Sequence, residues 1–323
     1  MKLIGWDHQR LKELVALWNS EIGMQFPLRE ELFIQNSFDD ANVLRSGSFI
    51  AINDEDQVIG FVVSKCWQEN LDVQMNHDIG WIQVLLVKSS YRCRGIGSAL
   101  LGKAEQALKE RNIKTVHIGR DPWHYFPGIP KNFEKSKTWF EKRNYVSGYI
   151  EYDLIRHDQN RPNCFNPSRY DVQFTLLKKE EKHEFLSFLQ RCFPGRWEYE
   201  AIHYFQRGGT GREFVIAKKN GNIIGFCRIN DHNSPYIAQN VYWAPLVNEA
   251  LGGIGPLGID PNERKNGYGL AIVEAGISFL RERNIHSIVI DWTGLVNFYG
   301  KLDFVIWKEY QQMSKDLSKE LKR

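Results

Sequence analysis

Two copies of one short pattern, 172 residues apart, constrain this chain more than any other feature. Arg92-Cys93-Arg94-Gly95-Ile96-Gly97-Ser98 and Arg264-Lys265-Asn266-Gly267-Tyr268-Gly269-Leu270 both read Arg-x-x-Gly-x-Gly. Each follows an apolar run (84–87 and 257–259) and opens a stretch of apolar residues at helical spacing. The reading is therefore strand, turn, helix, twice. A turn of this kind presents successive backbone N–H groups at the positive end of a helix dipole, a site for phosphate or pyrophosphate. Glycine there lets an anion approach closely and permits positive φ.

The repetition extends beyond the turn. Lys109-Glu110-Arg111-Asn112-Ile113 matches Arg281-Glu282-Arg283-Asn284-Ile285 at the same offset. Val58-Ile59-Gly60-Phe61 matches Ile223-Ile224-Gly225-Phe226 at an offset of 165, and Phe140 to Tyr145 matches Tyr299 to Phe304 at 159. Four blocks in one order imply an internal duplication, with a period far too long for a solenoid. A chain of 323 residues also favours two domains of about 150. The expected division is 1–155, a polar and proline-containing linker 156–170, and 171–323.

Composition excludes several classes. Hydrophobic content of 42% and charged content of 25% are ordinary for a globular protein. A net charge of +3 with no basic run argues against nucleic acid. No apolar stretch approaches the ~20 residues that span a bilayer, and the N-terminus does not read as a signal peptide. Neither nucleic acid nor membrane is expected as a partner. Five cysteines (66, 93, 164, 192, 227) show no Cys-x-x-Cys and no metal spacing, which fits reduced thiols in a cytoplasm and no metal. Cys93 lies in the first turn, where it is open to alkylation. The tail 315–323 reads as a frayed end.

Along the chain, Leu11, Leu14, Val15 and Trp18 predict a helix over 9–19, and Phe33, Ile34 and Phe38 are core candidates. Strands are expected over 48–52, 57–65, 79–87 and 114–118, then 170–177, 213–218 and 287–290. Leu100, Leu101, Ala104 and Leu108 share one helix face, as do Ile272, Val273, Gly276 and Leu280, so this face packs on a sheet. The first copy carries an insertion of 13 residues around Pro122-Trp123-His124-Tyr125-Phe126-Pro127, a rigid loop that either lines a site or caps the core.

The order strand, Arg-x-x-Gly-x-Gly, helix, strand, helix, with Phe298-Tyr299-Gly300-Lys301-Leu302-Asp303-Phe304 at its end, resembles the GNAT (GCN5-related) N-acetyltransferases. The resemblance covers nearly the whole chain as two tandem copies, a layout similar to the mycothiol synthase branch, with nothing in the residues that carries over a substrate. It implies an α/β fold in which each domain has a mixed sheet with helices on both faces. It implies acetyl-CoA as donor and a small-molecule primary amine as acceptor, attacked directly, in a monomer or homodimer. The family usually has Gly where Asp303 stands.

The resemblance also assigns residues. Backbone N–H groups of Leu85 to Val87 and Leu257 to Ile259 serve the thioester carbonyl. The turn amides from Arg94, Gly95, Ile96 and Gly97 to Ser98, and from Asn266, Gly267, Tyr268 and Gly269 to Leu270, hold the pyrophosphate. Arg92 and Arg264 add charge there. Tyr299 occupies the position of the proton donor to the thiolate, where the first copy has Phe140, so catalysis is expected in the C-terminal copy. Tyr125 and Tyr149 are candidate hydroxyls in the first copy, though no motif places them. Asp291 is the best acidic candidate for a base, or else it caps the following turn. Glu198 sits in a helix that borders substrate in the family, and His286 reads as a surface residue. A non-enzymatic acyl-CoA sensor and a peptide acetyltransferase remain as alternatives.

Overall fold

Every apolar run singled out above forms a strand or a helix in the computed structural model, which describes residues 1–158 and 165–319. Cys164 and the last four residues of the lysine-rich tail lie outside the described residues. The elements of the first half, in chain order, are β1 Lys2–Gly5, α1 Leu11–Ile22, α2 Glu30–Phe33 (running on as a π turn, Ile34–Phe38), β2 Phe49–Ile52, β3 Val58–Cys66, β4 Ile79–Val87, α3 Ile96–Glu110, β5 Thr115–Ile118, β6 Ile129–Pro130, α4 Glu134–Glu141 and β7 Val146–His157. Those of the second are β8 Gln173–Leu176, α5 Lys182–Cys192, α6 Arg196–Gln206, β9 Phe214–Lys219, β10 Asn222–Asn230, β11 Leu251–Ile259, α7 Tyr268–Glu282, β12 Ser287–Thr293, α8 Val296–Gly300 and β13 Val305–Asp316.

The chain forms two compact units, and their boundaries differ from a simple cut between the halves. The first unit takes residues 1–71, 76–151 and those from Glu309 on; the second takes 72–75 and 152–308. In the first unit the sheet runs β1-β2-β3-β4-β5 and is closed by the end of β13, where Lys315 pairs antiparallel with Val116. In the second it runs β8-β9-β10-β11-β12 and is closed by β7 from Tyr152 on, with Ile288 opposite Arg156. Arg156 and His157, expected in a linker, are therefore strand residues. Lys315, expected in a frayed end, is buried and bonds Glu105 at 3.0 Å. Long-range strand pairing leaves no local signal, so a sequence cut in two by its repeat misplaces both closing strands.

Each sheet is antiparallel except for one parallel pair, β4–β5 and β11–β12. The helix after each turn lies on this pair and buries the stripe named from the sequence: Leu100, Ala104 and Leu108 are fully buried in α3, and Ile272, Val273 and Leu280 in α7. The duplication reaches the backbone. Positive φ recurs at Cys93 and Lys265, Gly95 and Gly267, Asn112 and Asn284, and Asn144 and Asp303. Asp303 (φ 61) thus holds the left-handed turn that glycine usually takes, so the departure leaves the turn intact.

A fragment of residues 1–158 lacks the strand that closes β5. It is expected to unfold without a cooperative transition in urea followed by circular dichroism, whereas the intact chain melts cooperatively.

Candidate active site

Each parallel pair begins in register and then comes apart. β4 pairs β5 only from Ile79↔Thr115 to Ile82↔Ile118, and β11 pairs β12 only from Leu251↔Ser287 to Gly253↔Val289. A bulge sits at the parting point in both. Gln83 is the extra residue of β4 against β3, and Gly255-Pro256 oppose the single residue Arg228 of β10. Bulges of this kind re-aim side chains and end pairing. The second unit carries another on β12, where Asp291 and Trp292 oppose Asp153 of β7, and the Trp292 N–H donates to Asp153 Oδ1 at 3.1 Å. Asp291 faces the bulge across the gap: a Cβ placed on Gly255 would lie 3.9 Å from Asp291 Oδ1.

The glycine turns lie at the open ends of these pairs. Gly95 (φ 83) and Gly267 (φ 81) each precede a helix of 15 residues that has no side-chain cap, so the first N–H groups of α3 and α7 face outward. A Cβ on Gly95 would meet nothing within 4 Å, and one on Gly267 only the Tyr170 ring at 3.9 Å. This open space beside uncapped amides fits a diphosphate. The second glycine of each motif answers a different need. A Cβ on Gly97 would press on Trp139 at 3.3 Å and one on Gly269 would touch Phe298 at 3.6 Å, so these positions seat the aromatic residues of α4 and α8.

The motif arginines bind the turn itself. Arg92 Nε donates to Val87 O at 2.9 Å and Arg264 Nε to Ile259 O at 3.2 Å. Arg92 also pairs with Glu21, which accepts the Ser89 N–H at 2.8 Å. Their observed role is to tie the turn to its strand, a demand that charge counting in a sequence does not reveal. The Tyr268 hydroxyl is bonded to Asp171, and Lys219 donates to it at 3.3 Å, so what Tyr268 offers a ligand is its N–H. Arg143 donates to the Ser98 hydroxyl at 2.7 Å and lies 3.6 Å over the Trp139 ring. The Arg94 guanidinium covers the Tyr91 ring, and Asn266 donates to Glu263 O. Leu85, Val87 and Leu257 are half-buried on the parting strands, Ile259 is buried, and Ile96 and Leu270 pack the first turn of each helix.

Beyond the turns the two units diverge. In the second, Tyr299 is buried on α8 and Asp291 half-buried on β12. Burial raises Asp291 to about 6, opposed first by the Arg196 charge and reinforced by Glu200. Burial also raises the Tyr299 phenol, with further contributions from Cys227 and Asp291, so its hydroxyl keeps its proton. The offsets place Gly119 and Phe140 of the first unit at these two positions. Sequence comparison found the second difference and missed the first, though the strand offset carries it. Glu198 is buried on α6, and its carboxyl is raised by burial. His286 is half-buried, with its carbonyl accepting the Asp158 N–H.

The corresponding gap of the first unit is filled. Its inserted loop is core: Trp123 and Tyr125 are 2% exposed and Phe126 8%. Phe126 stacks on Trp18 at 5.7 Å. Gln83 at the bulge donates to Asn36 O and Trp123 O, both at 3.1 Å, and accepts the Ser37 hydroxyl, which also bonds Tyr125 at 2.8 Å. Beneath lies Lys65, fully buried, with Asp121 at 2.6 Å and Asp40 at 2.7 Å. Burial opposes the lysine charge, but the two carboxylates overcome it and its pKa is raised. Of the other first-unit hydroxyl, Tyr149, the side chain is exposed to solvent.

The Acetyltransferase (GNAT) family profile matches residues 11–125 and 182–304, one segment for each unit. Mycothiol acetyltransferase of Acidothermus cellulolyticus is 28% identical over 233 residues, covering 69% of this chain and 68% of its own. That of Salinispora arenicola is 23% identical, with 70% of each covered. Among solved structures, the glucosamine N-acetyltransferase region of a fungal multi-domain β-N-acetylglucosaminidase superposes with TM-score 0.85 at 22% identity, over 97% of this chain and 38% of that one. A tandem GNAT protein from the clavulanic acid biosynthesis pathway gives 0.66 at 12%, over 98% of both.

No described helix is long and apolar enough to cross a membrane. Replacing Lys65 with Met strands two buried carboxylates and is expected to cost about 3–5 kcal/mol in urea denaturation. Two segments that match one family profile, each with its parted strand pair and glycine turn, establish that this chain belongs to the GNAT family as a tandem, two-domain N-acetyltransferase.

Proposed function

We propose that this chain transfers an acetyl group from acetyl-CoA to a primary amine of a small molecule, and that the unit carrying Asp291 and Tyr299 performs the reaction. One observation carries the reading. Asp291 stands at the strand gap of the second unit and Tyr299 is buried on α8 within reach of its charge, where the first unit has Gly119, Phe140 and a filled core. The names of the similar proteins, mycothiol acetyltransferase and a glucosamine N-acetyltransferase region, support a small-molecule acceptor.

The roles follow from position and charge. The turn 266–270 and the uncapped end of α7 hold the diphosphate. Acetyl-CoA supplies an activated carbonyl and a thiolate leaving group. N–H groups on the edge of β11 beyond Gly253, including those of Leu257 and Ile259, stabilise negative charge on the carbonyl oxygen. The amine attacks directly: a C–N bond forms and the C–S bond breaks. The Asp291 carboxylate accepts a proton from the amine, and the Tyr299 hydroxyl gives one to the departing sulfur. An acid near 6 is ionised at neutral pH yet basic enough to take that proton.

Three outcomes are expected. Tyr299→Phe lowers kcat by ~10²–10⁴-fold, the usual range for a lost general acid, with acetyl-CoA affinity unchanged in calorimetry; a sensor would show no such effect because it has no turnover. In wild type, kcat/KM rises with pH and levels off above about 6. Asp291→Asn removes that limb with most of the activity, and it raises the melting temperature at neutral pH because burial disfavours the ionised form it replaces. Gly267→Glu abolishes turnover and one equivalent of acetyl-CoA binding, while Gly95→Glu spares turnover. Loss of turnover in Gly95→Glu, with the fold intact, would overturn the assignment to the second unit.

A further inference from the structure

Resting on the acetyl-transfer reading above, we infer that the acceptor is a hydroxylated primary amine whose hydroxyl groups are held by Arg228 and Glu200 beside Asp291. Arg228 on β10 is 1% exposed, Glu200 on α6 2% and Asn230 0%. The Arg228 Nη1 and Glu200 Oε2 atoms lie 3.7 Å apart, beyond hydrogen-bond reach. Arg228 Nε, Nη1 and Nη2, Glu200 Oε2 and Asn230 Oδ1 make no hydrogen bond within 3.5 Å, and the Arg228 guanidinium lies 4.6 Å over the Tyr236 ring. Buried polar groups in native proteins are nearly always satisfied, by protein, water or ligand. Arg228 and Asn230 lie on the strand segment that faces the Gly255-Pro256 bulge, Glu200 meets Arg228 from α6, and across the bulge lies Asp291. Asn230 donates to Asn240, and Asn240 to Gly255 O at 3.3 Å, so this polar cluster is continuous with the bulge.

The chemistry of the cluster selects its ligand. Arg228 offers donors only, and Glu200 and Asn230 offer acceptors. A hydroxyl both donates and accepts, and so complements such a mixture. A ligand carboxylate could use Arg228 but would face Glu200 and Asp291. An apolar amine would leave every one of these atoms unpaired, which a site built for hydrogen bonding rejects strongly. Arg196 forms the entrance. Its side chain is 25% exposed, lies 4.3 Å over the Trp292 ring and bonds the other Glu200 oxygen at 2.6 Å.

The test titrates CoA-loaded protein with three amines of one ring size: cyclohexylamine, trans-2-aminocyclohexanol and D-glucosamine. Affinity is expected to rise with each addition of hydroxyl groups, by at least ~100-fold from first to last. Arg228→Met and Glu200→Gln should each reduce that ratio to a few-fold, with the cyclohexylamine affinity little changed, in protein whose fold is verified by circular dichroism. Equal binding of the three amines by wild type, or failure to bind either hydroxylated amine, overturns the inference without recourse to any variant. So does an unaltered preference in a folded Arg228→Met protein. Binding tests this inference alone; if the preference holds and added acetyl-CoA yields no acetylated amine, the acetyl-transfer reading falls instead.

Discussion

The candidate site of this molecule is built on one backbone event, the parting of a parallel strand pair at a bulge. Paired strands satisfy each other's N–H and C=O groups, and a buried strand edge is costly to leave unpaired. β11 holds to β12 for three residue pairs and then leaves it, with Gly255-Pro256 displaced on one strand and Asp291-Trp292 on the other. The gap so formed exposes a strand edge to a ligand, points a carboxylate into the opening and ends at a helix terminus with free N–H groups. In the proposed reaction, a donor carbonyl, an acceptor amine and a diphosphate find complementary groups along this one line of backbone.

The first unit shows what the same backbone does when the gap is closed. Its strands part at Gln83, the position that corresponds to Gly255, and its turn glycines take the same φ values. Its inserted loop then places Trp123, Tyr125 and Phe126 in the core, and Gln83 is consumed by hydrogen bonds to that loop. Lys65 occupies the position of Asn230 and is matched by Asp40 and Asp121 at bonding distance. In the second unit the Arg228–Glu200 distance of 3.7 Å leaves donors and acceptors unpaired. The contrast is between a polar cluster built to be complete and one that is incomplete until a partner arrives.

Legibility in the sequence tracked how local each feature is. Period and turn chemistry located strands β2 to β5, β8 and β9, the start of β12, both helices with their buried faces and both glycine turns, because these depend on neighbours within a few residues, but not β1, β7 or β13. The Tyr299 and Phe140 contrast was visible because flanking blocks fixed the alignment. The exchange of closing strands was not, since Lys315 meets Val116 through pairing that spans most of the chain. Nor was the tie made by Arg92 and Arg264: the Nε of each guanidinium donates to a carbonyl of the preceding strand, a bond that a count of charges does not reveal. The inserted loop was ambiguous for a related reason, as proline and aromatic residues specify rigidity and not direction.

Burial gives the two units opposite uses for similar ingredients. A buried ion pair adds little net stability against an apolar replacement, yet removing one member is severe. Lys65 between two carboxylates therefore locks a single packing for the first unit and serves as scaffold. Arg196 and Gln239 bond one oxygen of Glu200, but its other oxygen and the Arg228 guanidinium face each other at 3.7 Å without a hydrogen bond, an incomplete return for the hydration both have lost. Such a cost is expected where selection acts on what the site holds, since natural sequences depart from local consistency mainly at functional positions. Asp291 follows the same logic: burial makes its ionised form unfavourable, and in the proposed reaction that same burial suits it to take a proton from an amine.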